Sequence, residues 1–192
     1  MLTWGLIGPG KGIEWGIRAL ACMEPATRPV YRVLGQTHPK VVKEHGEEYR
    51  DQLTGLAADL RVAADVELDG RYQDTDELAA QVASAALVLL PYDSTEQATS
   101  GVLAEAAAAG KVVIATRFPH AMELLADGGG ILVGHRRPTE IARAIQRVLG
   151  DPTYAVAAKA SAQDLAMANS WPRAAERFRG LLTGAALERA AR

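Results

Sequence analysis

The chain has one cysteine, Cys22, so no disulfide can form within it, and a reducing, cytoplasmic location is the expectation. Long apolar runs are missing. The longest, Ala83 to Pro91, is interrupted by Ser84 and is about half of what a bilayer span needs, so no transmembrane segment is expected. The amino terminus lacks the basic flank of a secretory signal and meets Gly8, Pro9 and Gly10 at once. An excess of positive charge is also absent: 21 Lys and Arg stand against 23 Asp and Glu, a net charge of −2, which argues against a nucleic-acid or anionic-membrane binder. The four histidines, His38, His45, His120 and His135, show no metal-ligand spacing, and no zinc site is expected.

What is present is ordinary globular composition, 48% apolar and 23% charged over 192 residues, enough for one full-sized core. Short apolar segments at Leu2–Ile7, Val30–Gly35, Val62–Leu68, Leu87–Leu90, Val112–Thr116 and Ile131–Val133 read as strands. Helical stretches separate them at Ile13–Glu24, Lys40–Leu60, Asp76–Ala85, Gly101–Ala109, Ala121–Asp127 and Glu140–Leu149. That alternation implies a Rossmann-like, doubly wound α/β fold with a parallel sheet of about six strands covered on both faces. Asp74 and Glu77 have capping-box spacing, Gly110 closes the alanine-rich helix, and Thr139 is expected to cap the helix after Pro138. After Asp151-Pro152 the strands stop, and residues 151–192 read as a helical tail broken at Trp171-Pro172. The whole of 1–192 is thus expected to form one domain. Its first strand begins with no lead-in, which reads as a start in the middle of something larger.

In such sheets ligands bind beyond the carboxyl ends of the strands, and two loops there could hold an anion. The first, Gly5 to Gly12, nearly spells a P-loop, with four residues between Gly5 and Gly10-Lys11. Gly12 replaces the hydroxyl residue that would hold magnesium, and no strand ends in a good Walker B acid, so an ordinary P-loop nucleotidase is rejected. The dinucleotide fingerprint fails as well, because its third glycine would fall on Ile13. A lysine in the opening turn of a helix is misplaced against the positive end of the macrodipole unless an anion lies beside it. The plainer alternative is a tight turn with Lys11 in water. The second loop, Pro91 to Gly101, carries hydroxyls at Ser94, Thr95, Thr99 and Ser100 and opens a helix, another candidate phosphate cradle. Glu105 stands alone in that small, apolar helix, and its carboxylate should lean back over the turn containing Gly101. A buried carboxylate without a partner is costly, so Glu105 is expected to need a donor, either a backbone amide or a pair of sugar hydroxyls.

Taken in order, Gly10-Lys11-Gly12, Pro91-Tyr92, Ser100-Gly101, Leu103-Ala104-Glu105-Ala106, Gly110-Lys111-Val112-Val113, Phe118 to Leu125, Asp127-Gly128, Leu132-Val133 and Leu149-Gly150-Asp151-Pro152 resemble the C-terminal domain of group 1 retaining glycosyltransferases with the GT-B fold. The likeness covers nearly the whole chain. It implies a domain that binds a UDP- or GDP-linked sugar donor for retaining transfer of a hexose in carbohydrate biosynthesis, needs no metal or other cofactor, and works with an N-terminal acceptor domain that this chain does not contain. It implies that Lys11, between Gly10 and Gly12, contacts the donor diphosphate, that the amides of Ser100, Gly101 and Val102 hold its distal phosphate, and that Glu105 holds the ribose hydroxyls. Gly70-Arg71-Tyr72 matches the segment that lies against the nucleobase, and His120 faces either the donor sugar or solvent.

Two positions depart from the family pattern. The family commonly has two glutamates separated by seven residues, and counting back from Glu105 puts Gln97 at the first, beside Glu96. An arginine that usually precedes the lysine is Leu6 here. Asp74-Thr75-Asp76 spells the metal-binding acid pair of the other large glycosyltransferase fold, but capping-box spacing explains it better. Trp4 and Trp15 read as core or domain-contact residues. Two alternatives to the transferase half stay open: a stand-alone nucleotide-sugar binding or interaction module, and a fragment of a GT-B sugar-nucleotide epimerase.

Overall fold

The alternation of strand and helix folds as the pattern predicts, in a computed structural model that describes residues 1–190. Six strands, β1 (Leu2–Trp4), β2 (Tyr31–Leu34), β3 (Val66–Asp69), β4 (Val88–Leu90), β5 (Val113–Thr116) and β6 (Gly130–Val133), form one sheet in the order β3-β2-β1-β4-β5-β6. Every pairing is parallel. The order reverses at β1, whose neighbours are β2 on one side and β4 on the other, so a crevice opens past the carboxyl ends of β1 and β4.

Because side chains alternate along a strand, each face of the sheet carries its own core. Tyr31, Val33, Leu89 and Ile114 pack with α1 (Ile13–Ala21), α3 (Glu48–Asp59) and α7 (Pro138–Gly150). Leu34, Val88, Leu90, Val113 and Ala115 pack with α4 (Thr75–Ser84), α5 (Gly101–Ala108) and α6 (Pro119–Leu124). The helix α1 shows the physics. Ile13, Ile17 and Leu20 recur on one face and are completely buried, each contributing about 1.5–3 kcal/mol of hydrophobic stabilisation.

Several boundaries differ from the sequence expectation, each for a local reason. β1 ends at Trp4 because Gly5 turns to φ 118°, and Ile7 keeps only an isolated bridge to Thr37. The residues before Val66 form a 3-10 turn, Ala63–Asp65, so β3 starts later than Val62. The single helix expected over Lys40–Leu60 is two, α2 (Pro39–His45) and α3, because Gly46 at φ 58° breaks the run. Thr139 does not cap α7: Pro138 occupies the first helical position, where its missing N–H costs nothing, and Arg137 precedes it without a side-chain cap. The capping box of Asp74 and Glu77 is present with both bonds, and Gly110 takes φ 63° as a helix terminator should. The tail forms α8 (Pro152–Ala168) and α9 (Trp171–Ala190), broken before Trp171, while 191 and 192 lie outside the described residues. Among the described residues no helix is long and apolar enough to cross a membrane.

Candidate functional site

The loops that follow β1 and β4 meet over the crevice. The Asp93 amide donates to the Gly10 carbonyl at 3.0 Å, and Lys11 Nζ lies 4.5 Å from the centroid of the Tyr92 ring. Gly10 and Gly12 both have positive φ, 89° and 66°. Gly12 also has no room for a side chain, since a Cβ there would lie 1.9 Å from the Pro91 carbonyl oxygen. The glycines of this turn therefore permit the close approach of two backbones, and that approach carries Lys11 onto the aromatic face.

Lys11 is half-buried, and no carboxylate among the described residues pairs with it. Burial holds its pKa below the usual 10.5. Tyr92 beneath it is 1% exposed and stacks on Phe118 with ring centroids 5.2 Å apart. Its hydroxyl has no hydrogen-bond partner among the described residues, and burial pushes its pKa up to about 12. A lysine resting on a ring with no acid to neutralise it is a cation with room for an anion.

A network clamps this loop pair to the rest of the sheet. The Tyr92 carbonyl accepts from Thr116 Oγ1 at 2.7 Å and from His135 Nδ1 at 2.9 Å. Asp93 accepts from Trp15 Nε1 at 2.8 Å and pairs with Arg136 at 3.2 Å. The expectation for Trp15 as a packing residue is thus joined by a polar one: its indole anchors Asp93.

At the start of α5, Ser100 is the N-cap and its hydroxyl accepts from the Leu103 amide at 3.2 Å. The Ser100 amide is already engaged, donating to His120 Nδ1 at 2.9 Å, so Gly101 and Val102 are the first-turn amides left for an incoming anion. That bond requires His120 Nδ1 to be unprotonated, which puts the neutral ring's proton on Nε2. Gln97 supports the same loop, with its side-chain amide on the Thr99 carbonyl at 3.1 Å and its own carbonyl accepting from the His120 amide at 3.3 Å. His120 and Gln97 therefore fasten the β4–α5 loop to α6.

Beside this lies a cavity of about 640 Å³, walled by Trp4, Leu34, Leu78 and Val82 and edged by Glu105 and Tyr72. Glu105 is exposed rather than buried, so burial is not what creates its need for a donor. It has one all the same: Trp4 Nε1 donates to Glu105 Oε2 at 2.9 Å. The Gly70-Arg71-Tyr72 segment divides. Tyr72, 75% exposed, edges the cavity. Arg71 is held away by Asp69, with an Nη2–Oδ2 distance of 2.7 Å, an ion pair that keeps the Asp69 carboxyl below its ordinary pKa. Lys11, Ser100 and His120 do not line this cavity; they stand at the loop crossing next to it.

Asp93 and Arg136 have no role in the sequence expectations, His135 appears there only as a histidine outside any metal-ligand spacing, and Trp4 only as a core or domain-contact residue. For Trp4 a signal existed: a tryptophan in a buried strand must still place its N–H on an acceptor.

The family model described as "Glycosyl transferases group 1" matches residues 1–151. Among curated proteins none matches the sequence. Among solved structures, the chain is similar to HepE from Anabaena in complex with UDP and glucose, at 20% identity and a TM-score of 0.77, covering 95% of this chain and 47% of that one. It is similar to sucrose-phosphate synthase from Thermosynechococcus elongatus at 23% identity and a TM-score of 0.74, covering 95% and 45%. The C-terminal domain of a group 1 family glycosyl transferase from Francisella tularensis matches at 18% identity and a TM-score of 0.72, covering 86% and 82%. The chain thus spans about half the length of the first two proteins but most of the isolated C-terminal domain.

Proposed function

The chain belongs to the group 1 glycosyltransferases, with half of a GT-B fold, and from that premise we propose that it is the half that binds the nucleotide-sugar donor for retaining hexosyl transfer. The observation that carries this reading is the crossing of the two loops at the reversal of strand order, where an unpaired Lys11 and the free amides of α5 adjoin a nucleotide-sized cavity edged by Glu105. In this reading Lys11 and the amides of Gly101 and Val102 neutralise the departing diphosphate, Glu105 accepts the ribose hydroxyls, and the base lies in the apolar cavity under Tyr72. Gly10 and Gly12 shape the lysine turn, Arg71 fixes the Tyr72 segment through Asp69, and Gln97, Ser100 and His120 hold the loop that faces the sugar.

Catalysis on this scheme is positioning plus stabilisation of charge on the leaving group, with no metal required. The solved structures with UDP support a uridine nucleotide as the first donor to try. The acceptor pocket is assigned to an N-terminal domain outside this chain, so the isolated chain should bind a donor in the cytoplasm's reducing conditions and transfer nothing. The test is calorimetric titration with UDP, GDP and ADP, each also as a sugar conjugate. Saturable binding of one nucleotide is expected. A folded chain that binds none at millimolar concentration would overturn the donor-site reading.

A further inference from the structure

Trp4 closes β1 with its ring in the core, 3% exposed, yet its one polar atom is used at the surface of the site, on a carboxylate 101 residues away in sequence. An indole N–H can only donate, so the bond assigns Glu105 Oε2 as the acceptor. The other oxygen, Oε1, is the one that lies over the first turn of α5, 4.0 Å from where a Cβ would stand on Gly101. Glu105 is exposed, and an exposed glutamate tethered by nothing samples several rotamers that a ligand must freeze. The Trp4 ring is itself immobilised among Leu34, Leu90 and Leu103 in the core cluster. The donor is therefore rigid and the acceptor is not, which is the arrangement of a side chain held ready before its ligand arrives.

We propose that Trp4 is a positioning residue: its indole N–H fixes Glu105 so that Oε1 meets a ribose hydroxyl, and this sets the preference for a ribose over a sugar lacking its hydroxyls. The proposal rests on Glu105 being the ribose acceptor. A tryptophan that served packing alone would affect every ligand alike, whereas this role singles out the hydroxyls.

The experiment compares Kd values of the full chain for UDP and 2′,3′-dideoxyuridine diphosphate, with GDP and its dideoxy counterpart in parallel, in the wild type and in Trp4→Phe. The phenyl ring fills most of the same space and has no N–H. Trp4→Phe is expected to lower the ratio of dideoxy to ribose Kd by about fivefold, the net worth of one hydrogen bond; because Trp4 also walls the cavity, any effect on the base falls on both ligands and cancels in that ratio. Equal loss for both ligands, or no change in the ratio, overturns the positioning role. If the wild type binds UDP without discriminating against the dideoxy compound, Glu105 is not a ribose acceptor and the underlying reading fails with it. Should Trp4→Phe not fold, the wild-type Trp4 indole N–H resonance decides: a base in the cavity shifts it with either ligand, but it should shift further with UDP than with the dideoxy compound, and equal shifts would overturn the proposal.

Discussion

Replacing Lys11 with methionine keeps the aliphatic stem against Tyr92 and removes only the charge, so it isolates what the ammonium contributes. In the free chain that ammonium is 4.5 Å from the ring centroid, an interaction on the order of 0.5–1 kcal/mol at a partly exposed site. On a diphosphate it would make a charged hydrogen bond of about 1.5–3 kcal/mol. Subtracting what is given up leaves about 0.5 to 2.5 kcal/mol, centred near 1.5, or roughly a tenfold rise in Kd for UDP. Calorimetry at fixed ionic strength measures it, with uridine as the control, because a nucleoside without phosphates should bind both chains equally. The pH dependence gives a second reading. Burial lowers the Lys11 pKa in the free chain below 10.5, and an adjacent diphosphate must raise it again. Affinity is therefore full below the free-state pKa and falls as pH rises through it, with proton uptake on binding in that alkaline window. Titrations in two alkaline buffers of different ionisation enthalpy should show that uptake in the wild type and not in Lys11→Met. A change in UDP affinity of less than twofold, in a variant that remains folded, would refute the placement of the diphosphate at Lys11.

Gly12→Ala should unfold at lower urea, with about 2–5 kcal/mol lost, because a φ of 66° and a Cβ 1.9 Å from the Pro91 carbonyl combine backbone strain with overpacking. Wild-type stability in urea would show that the two loops separate more easily than their packing implies. Tyr92→Phe removes a buried hydroxyl without a partner, so thermal stability should be unchanged or higher. The same hydroxyl has a folded pKa of about 12, above the 10.0 of an unperturbed tyrosine, because the fold penalises its ionised form; stability therefore carries no such penalty below pH 10 and falls as pH rises from 10 towards 12. A drop in melting temperature in Tyr92→Phe at neutral pH would reveal a bond that the geometry lacks. Asp74→Ala should cost about 1 kcal/mol in urea denaturation by removing one half of the capping box at α4, leaving nucleotide affinity unchanged. Lost affinity without lost stability would point to a ligand role for Asp74.

What the sequence by itself determined was whatever a few neighbouring residues decide. The Asp74–Glu77 cap and the left-handed Gly110 rest on interactions within one turn of chain, and the alternation that implies a covered parallel sheet and the glycine-rich turn around Lys11 are patterns of neighbouring residue types. The family resemblance was legible for the same reason, since it is carried by short motifs in a fixed order. Where local signals competed, the boundary was lost: Gly46 broke a helix that the apolar pattern ran through, and Pro138 took the position that would have made Thr139 a cap. The tertiary structure alone decided which of those motifs share a site. Lys11 meets Tyr92, Ser100 meets His120, Asp93 meets Arg136, and Trp4 meets Glu105 because the sheet places β1 beside β4 and β4 beside β5. Strand order is set by how the whole chain buries two cores at once, and no window of neighbouring residues contains that information.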